Sequence, residues 1–265
     1  MKEEIRTKDQ TKEDNNHLVI SYISLRNLIG FSGMLLPIVL VLFNDCKVLC
    51  SISHYYYSEA GDILVGFMVL ISTFLFTYNG YGGIWEKLCY VLTGLGALCV
   101  GLCPPSHELV CIDTIEQIHT PINHDLLGKF HFPGALVFLS LSAFITLFYF
   151  TKRDQITPII KDKLWRNKNK RNIVYYICGS VIILSLIILG LYFFSSIEKP
   201  YSHYSSFVFI FETIAVWAFG IAWLTKGQTF FNDGEHYMKT GVKELKKSIN
   251  LLNLNYNKQI KIVPN

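Results

Sequence analysis

Apolar residues in this chain form long continuous blocks separated by short polar stretches. A helix needs roughly 20 mostly apolar residues to cross the hydrocarbon core of a bilayer. Six blocks approach that length, at 27–43, 61–78, 85–103, 132–150, 173–194 and 205–224. A soluble all-α protein would need amphipathic faces, which stretches such as "IVYYICGSVIILSLIILGLYFF" lack. The pattern therefore predicts an all-α, polytopic membrane protein with a bundle of six transmembrane helices.

Composition agrees with this class and divides the chain into three parts. Hydrophobic residues make up 51% of the 265 and charged residues 17%, a balance typical of membrane proteins. Residues 1–24 are predicted to be a cytoplasmic tail without the apolar core of a signal peptide. Residues 25–227 form the predicted transmembrane domain. Residues 228–265 are predicted to be a cytoplasmic tail with an amphipathic interfacial helix, because Val242, Leu245, Ile249 and Leu252 recur at helical spacing beside lysines.

Lysine and arginine positions predict the orientation of the bundle. The N-terminal segment through Arg26, the second and fourth loops and the C-terminal segment from Lys226 hold 21 of these residues, whereas the first, third and fifth loops hold 3. Because basic residues stay on the cytoplasmic side, both termini are predicted to be cytoplasmic. The basic residues follow this topology rule, so they do not indicate nucleic-acid binding. The inward surface otherwise looks chemically plain.

Polar chemistry concentrates on the predicted outward surface. Six of the eight histidines lie there, together with the stretch "SISHYYYSEAGD" between the first two blocks. Tyr55 and Tyr56 suit the headgroup level of a bilayer, but Ser51, Ser53 and His54 are more polar than an aromatic belt requires. The stretch is therefore predicted to line an outward-facing pocket.

Three further residues lie at the depth of this pocket. Asp62 opens the second helix, where a capping role competes with a binding role. Glu212 lies inside the sixth block, and acids within spans usually face a bundle interior or a water-filled cavity. His131 begins the fourth helix and lies within reach of these acids or of the tyrosines. Glu212 is the strongest single candidate, with a structural hydrogen bond as the alternative.

Four of the seven cysteines, Cys46, Cys50, Cys103 and Cys111, also fall on the outward side. Disulfides or free thiols are favoured over a zinc site, because the spacing of Cys103 and Cys111 does not match a zinc knuckle. The pairing of these cysteines and the role of loop 104–131 stay open.

Several motifs carry a family resemblance over residues 25 to 227. The most specific are S-x-S-x-Y-Y followed by D-x-x-V-G, and E-x4-W-x-F-x3-W-x2-K-G near the end. They resemble bacterial six-span membrane proteins related to the FRAG, DRAM and Sfk family and to nearby bacterial domains of unknown function. The resemblance implies a multi-pass protein of the bacterial inner membrane with a bias toward lipid or small-ligand recognition. It adds Trp217 to the candidate ligand-binding residues, which are Ser51, Ser53, His54, Tyr55, Tyr56, Asp62, His131, Glu212 and Trp217.

Three functions are consistent with these features. The first is a non-enzymatic protein that binds a lipid headgroup or small ligand outside, with membrane lipids as partners and no cofactor or resident metal. The second is a metal-dependent hydrolase of lipids that uses His54, His131, Asp62 and Glu212. The third is a proton-coupled transporter with Glu212 as carrier, which the absence of a second visible buried charge disfavours. Homo-oligomer formation is left open.

Overall fold

The fold consists of helices throughout the part of the chain that the structure describes. This computed structural model describes residues 17–78, 80, 83–105, 125–152, 161–194 and 206–230, with side chains from 23, 127 and 169 onward in the first, fourth and fifth helices. These ranges contain no strand, which confirms the all-α prediction. The helices are α1 (His17–Phe43), α2 (Gly61–Thr77), α3 (Ile84–Leu102), α4 (Asp125–Phe144), α5 (Lys161–Phe194) and α6 (Phe207–Lys226).

Five of these six helices are long and apolar enough to cross a membrane. Their apolar windows are Ile23–Phe43, Ile84–Leu102, Leu127–Tyr149, Asn169–Phe194 and Phe207–Lys226. Helix α2 is equally apolar but has 17 residues, which makes it about 25 Å long. The predicted interfacial helix in the C-terminal tail lies outside the described residues.

The six helices form a closed ring in chain order. Each helix packs against its neighbours in sequence, and α6 returns to pack against α1. Side chains from opposite sides meet inside the ring, where the rings of Phe138 on α4 and Phe219 on α6 lie 5.4 Å apart. The outward faces remain apolar, as on α1, where large exposed side chains recur every three or four residues: Leu28, Phe31, Leu35, Ile38 and Leu42. Such a surface is suited to lipid as solvent.

Small residues permit the closest helix contacts in the ring. A Cβ atom at Gly96 on α3 would lie 2.7 Å from the carbonyl oxygen of Gly134 on α4, so a larger residue would force these helices apart. Helix α4 also contains Pro133, one residue before Gly134.

Directly after α4, the chain continues as a π-helical turn at Ile145–Tyr149. The Phe150 amide donates to the Ile145 carbonyl over 3.0 Å.

The bundle has two chemically distinct ends. At the Ile52 end, residues 51–58 form the first-loop segment, which includes a 3-10 turn at Ser53–Tyr57. The ends of α1 and α3 and the beginnings of α2, α4 and α6 meet there. At the Trp223 end, the chain directly after α6 contacts α1. The Thr229 hydroxyl donates to the side-chain oxygen of Asn27 over 2.8 Å.

Candidate functional site

Hydrogen bonds within the first-loop segment hold it in a compact turn. The Tyr55 amide donates to the Ile52 carbonyl over 3.2 Å, and the Ser58 amide donates to the Tyr55 carbonyl over 3.0 Å, which closes the 3-10 turn. The Ser51 hydroxyl accepts from the His54 amide at 3.3 Å and lies 2.5 Å from Nδ1 of the His54 ring. The Ser51 and His54 side chains therefore add local hydrogen bonds that stabilise the turn.

Tyr55 anchors the segment to the chain that precedes it. Its fully buried hydroxyl donates to the Lys47 carbonyl over 2.9 Å and accepts from the Leu49 amide over 3.2 Å. Its ring lies 6.0 Å from that of Phe209 at the start of α6, whose amide donates to the Cys50 carbonyl over 2.8 Å. Burial raises the pKa of the Tyr55 phenol. Tyr55 is thus a neutral structural anchor rather than an exposed ligand contact.

Glu212 holds the segment from α6. Its Oε2 accepts a hydrogen bond of 2.6 Å from the Ile52 amide. Its Oε1 accepts none from the part of the chain that the structure describes. Below it on the same helix face, Val216, Phe219 and Trp223 are buried, as their spacing predicts. The carboxylate therefore lies between the apolar interior of the bundle and the first-loop segment.

His131 holds the neighbouring residue of the same segment from α4. Its Nε2 lies 2.8 Å from the Ser53 hydroxyl, and its Nδ1 lies 2.5 Å from the Cys103 carbonyl at the end of α3. The ring is only 6% exposed. Tyr57 adds a further contact to this side, because its hydroxyl donates to the Pro105 carbonyl over 2.5 Å, and burial raises the pKa of this phenol. The geometry thus brings Glu212 and His131 onto consecutive residues of one segment.

Other predicted site residues lie further from these contacts. Asp62 is exposed in the first turn of α2 and makes no hydrogen bond with described residues. Trp217 is 37% exposed, and its indole N–H donates to the Met34 carbonyl over 3.1 Å, so it joins α6 to α1. Tyr56 is half-buried, and its ring packs edge-on against that of Tyr57 with centroids 5.5 Å apart.

The described part of the chain shows the state of three of the four outward cysteines and tests the predicted metal ligands. Cys50 is disulfide-bonded, whereas Cys46 and Cys103 are free thiols. Cys111 and loop residues 106–124 lie outside the described residues. No three His, Cys, Asp or Glu side chains in the described part of the chain are grouped so that they could hold a metal ion. The four ligands suggested for a metal-dependent hydrolase, all of which are described, therefore do not form a metal site.

A buried acid also lies at the Trp223 end, where the sequence predicted a surface without notable chemistry. Glu86 in the first turn of α3 is 2% exposed, and the Tyr90 hydroxyl lies 3.4 Å from its Oε1. Gly80, at a φ of 55°, passes so close to this carboxylate that a side chain there would collide with it. The expectation of no second buried charge is therefore wrong. Its sequence signal is a Glu three residues after Gly83, the N-cap of α3, where a carboxylate faces unpaired amides.

The chain was compared with protein-family models, curated proteins and solved structures, and it matches none of them. The resemblance to the FRAG, DRAM and Sfk family consequently stays a prediction based on the motifs.

Proposed function

We propose that this protein is a six-span protein of the bacterial inner membrane whose Ile52 end faces outward and binds a lipid headgroup or small ligand. The contacts of Glu212 and His131 with consecutive residues of the first-loop segment carry this proposal. Acids within membrane spans are costly and usually mark functional sites. Glu212 is then part of a binding site, and the first-loop segment is the rim of that site.

The course of α2 supports a sixth span and cytoplasmic termini. The segment before α2 contacts Glu212 near the start of α6, whereas Tyr78, directly after α2, packs against Trp223 near the end of α6. Helix α2 therefore runs the height of the bundle, and a bilayer adapts to a span that is a few Å short. With six spans, both termini lie on one side, and the 21 to 3 distribution of basic residues favours the cytoplasm.

The polar groups at the Ile52 end suit a ligand with hydroxyl or ammonium groups. Glu212 uses one carboxylate oxygen for Ile52, so its Oε1 is an acceptor for a ligand donor. The half-buried side chains of Ser53, His54 and Tyr56 lie on the same segment and add hydroxyl, imidazole and ring contacts. Lipid headgroups present these donors at the level where the spans end. Membrane lipids are therefore the proposed partners.

Native mass spectrometry of protein extracted in mild detergent tests this proposal. Wild-type protein is expected to retain a bound lipid or small molecule. Glu212→Gln preserves the shape and the Ile52 hydrogen bond but removes the charge, so retention should fall about 10-fold or more, the effect of a lost charge-assisted hydrogen bond. His131→Ala and Tyr56→Phe should weaken retention less. Glu86→Gln is the matched control, because it makes the same change at the Trp223 end and should retain the molecule.

Equal retention by Glu212→Gln and wild type, with both proteins folded, would contradict the proposal. Loss of the molecule in both glutamine variants would also contradict it, because the effect would then not be specific to the Ile52 end. Wild-type protein that emerges without any bound molecule would overturn it too.

A proton-coupled transporter is a second candidate, favoured by the observation of Glu86. The half-buried Glu212 and the buried Glu86 lie near opposite ends of the bundle, and acids within spans are the kind of groups that carry protons in transporters. Large buried side chains such as Phe219 and Trp223 fill the interior between them, so transport would require them to move. In a pH gradient, the interior of proteoliposomes containing the wild type should then acidify faster than that of empty liposomes. Glu212→Gln or Glu86→Gln should abolish this difference in rate.

A further inference from the structure

Ser53 and His131 are arranged like a nucleophile and its general base. Three features define such a pair: a hydroxyl within hydrogen-bond reach of an imidazole, a second group that orients the imidazole, and access for a substrate. The Ser53 hydroxyl lies 2.8 Å from Nε2 of His131, and the Cys103 carbonyl lies 2.5 Å from Nδ1. The two reacting side chains come from residues 78 positions apart in the chain.

The Cys103 carbonyl determines the tautomer of His131. A backbone carbonyl can only accept a hydrogen bond, so Nδ1 of the imidazole must carry a proton and donate it. In the neutral ring Nε2 is then an acceptor, and the Ser53 hydroxyl donates to it. This is the protonation state in which an imidazole removes a proton from serine.

Access distinguishes this pair from the other serine and histidine of the segment. Ser51 also contacts an imidazole, that of His54, but Ser51 is only 4% exposed. Ser53 is half-buried and therefore reachable. Glu212 supports the position of Ser53 through the adjacent Ile52 amide, which makes Glu212 a positioning residue for this chemistry.

The surroundings indicate an ester that carries an apolar chain. Large exposed side chains flank His131 and the end of α3 on the lipid-facing surface, namely Phe130, Phe132 and Leu102. An acyl chain in the bilayer would lie against them while its ester group reaches the level of Ser53. Lipid esters place their carbonyl groups at this boundary between hydrocarbon and headgroups.

We propose that Ser53 and His131 hydrolyse an acyl ester of a membrane lipid, an activity that rests on the lipid-binding site proposed above. The Ser53 oxygen attacks the ester carbonyl carbon while Nε2 of His131 takes the hydroxyl proton. The carbon–oxygen bond to the alcohol then breaks, the alcohol leaves with that proton, and the acyl group remains on Ser53. Water, deprotonated by His131, attacks this acyl-serine ester. The carboxylic acid is released and the proton returns to the Ser53 oxygen.

A fluorophosphonate probe, which reacts with activated serines, tests the pair in the full-length protein in detergent. The wild type is expected to gain one probe mass, mapped to Ser53, and to hydrolyse a p-nitrophenyl acyl ester. Ser53→Ala should lose both properties. His131→Gln should slow labelling about 100-fold or more, the usual contribution of a general base. Ser140→Ala is the control, since this exposed serine of α4 lies outside the first-loop segment and its hydroxyl donates to the Val137 carbonyl of the same helix, and it should react like the wild type.

A second pair of variants keeps the test decisive if His131→Gln does not fold. The thiol of Ser53→Cys, next to His131, should be alkylated faster than that of Ser58→Cys, and equal rates would overturn the proposal. Absence of labelling in folded wild-type protein, or labelling of another serine, would overturn it as well. If wild-type protein retains a lipid but neither labels nor hydrolyses ester, the hydrolase is wrong and the binding function stands. Labelling of Ser53 without any retained molecule would support the hydrolase and contradict stable binding.

Discussion

At the Ile52 end single hydrogen bonds join the first-loop segment to α4 and α6, whereas at the Trp223 end aromatic rings from four parts of the bundle pack against one another. Trp223 lies 5.0 Å from Tyr78, 6.2 Å from Tyr90 and 5.1 Å from Phe150 between ring centroids. Arg26 lies over the outer ring of this group, 5.4 Å from the centroid of Tyr78. An acid lies at each end: Glu86 is buried, whereas Glu212 is half-buried and accepts from the Ile52 amide of the first-loop segment.

This difference indicates which end contributes more to the stability of the bundle. Buried aromatic side chains contribute several kcal/mol each, whereas a typical hydrogen bond contributes about 1 kcal/mol net. The Trp223 end should therefore dominate the stability of the bundle. The Ile52 end is held by single hydrogen bonds, and under the proposed function a ligand would supplement or replace them at small cost. Four experiments test this difference between the ends.

The largest expected effect is the contrast in accessibility between the two ends. Glu59 near the first-loop segment and Lys87 in the first turn of α3 are both exposed. With the free thiols removed, a membrane-impermeant maleimide should label Glu59→Cys in intact cells and should not label Lys87→Cys until the membrane is opened. Labelling of both in intact cells, or of Lys87→Cys alone, would overturn the proposed orientation.

The next largest effect is expected from Trp223→Ala. This change removes the ring that contacts Tyr78, Tyr90 and Phe150, so the free energy of unfolding should fall by about 3–5 kcal/mol. Thermal denaturation in detergent measures the loss, and Trp217→Ala is the control because that indole is partly exposed. A smaller loss for Trp223 than for Trp217 would show that the aromatic group does not dominate stability.

Replacing the acids one at a time separates their roles. Glu86→Gln should lower the free energy of unfolding by about 1–3 kcal/mol, because the substitution alters a buried, hydrogen-bonded charge at a helix N-terminus. Glu212→Gln should change it less, since the amide oxygen can still accept from the Ile52 amide. Melting temperatures of the two variants in the same detergent give the comparison. The reverse order would assign the structural role to Glu212.

The smallest effect is expected from Tyr55→Phe and depends on pH. Loss of the hydroxyl leaves the Lys47 carbonyl and Leu49 amide without this partner, so about 1 kcal/mol of stability should be lost at neutral pH. Because burial raises the pKa of Tyr55, its contribution is present below the ordinary tyrosine pKa and disappears as pH rises through the folded value. The gap between wild type and variant should therefore narrow in alkaline solution, as melting curves would show. A constant gap would contradict an intact phenol as the anchor.

Sequence reasoning predicted the helices well because they depend on local apolar pattern. Length and hydropathy are sufficient to identify a helix that can cross a membrane, and five such helices appear where the blocks lie. The boundaries were less predictable. Helices α1 and α5 begin at His17 and Lys161, before their apolar blocks, because a helix can continue beyond the hydrocarbon with polar residues.

The candidate site was predictable only in part. The cost of an acid inside a span singled out Glu212, and its convergence with the first-loop segment followed from depth alone. Trp217 and Asp62 were predicted to lie in the same site. In the structure the Trp217 indole joins α6 to α1, and the Asp62 side chain is exposed. Helical rotation and turn geometry decide such orientations, and a motif does not encode them.

The helical class, the apolar helices and the presence of an acid that needs a polar partner can be read from the sequence, because each follows from the composition of a short stretch. Which atoms contact one another became known only from the packed fold. It placed the Cys103 carbonyl on Nδ1 of His131 and Ser53 on Nε2, and it buried Glu86 beside Tyr90. These contacts depend on how separate helices pack within a few tenths of an ångström, and no single stretch of the chain contains that information.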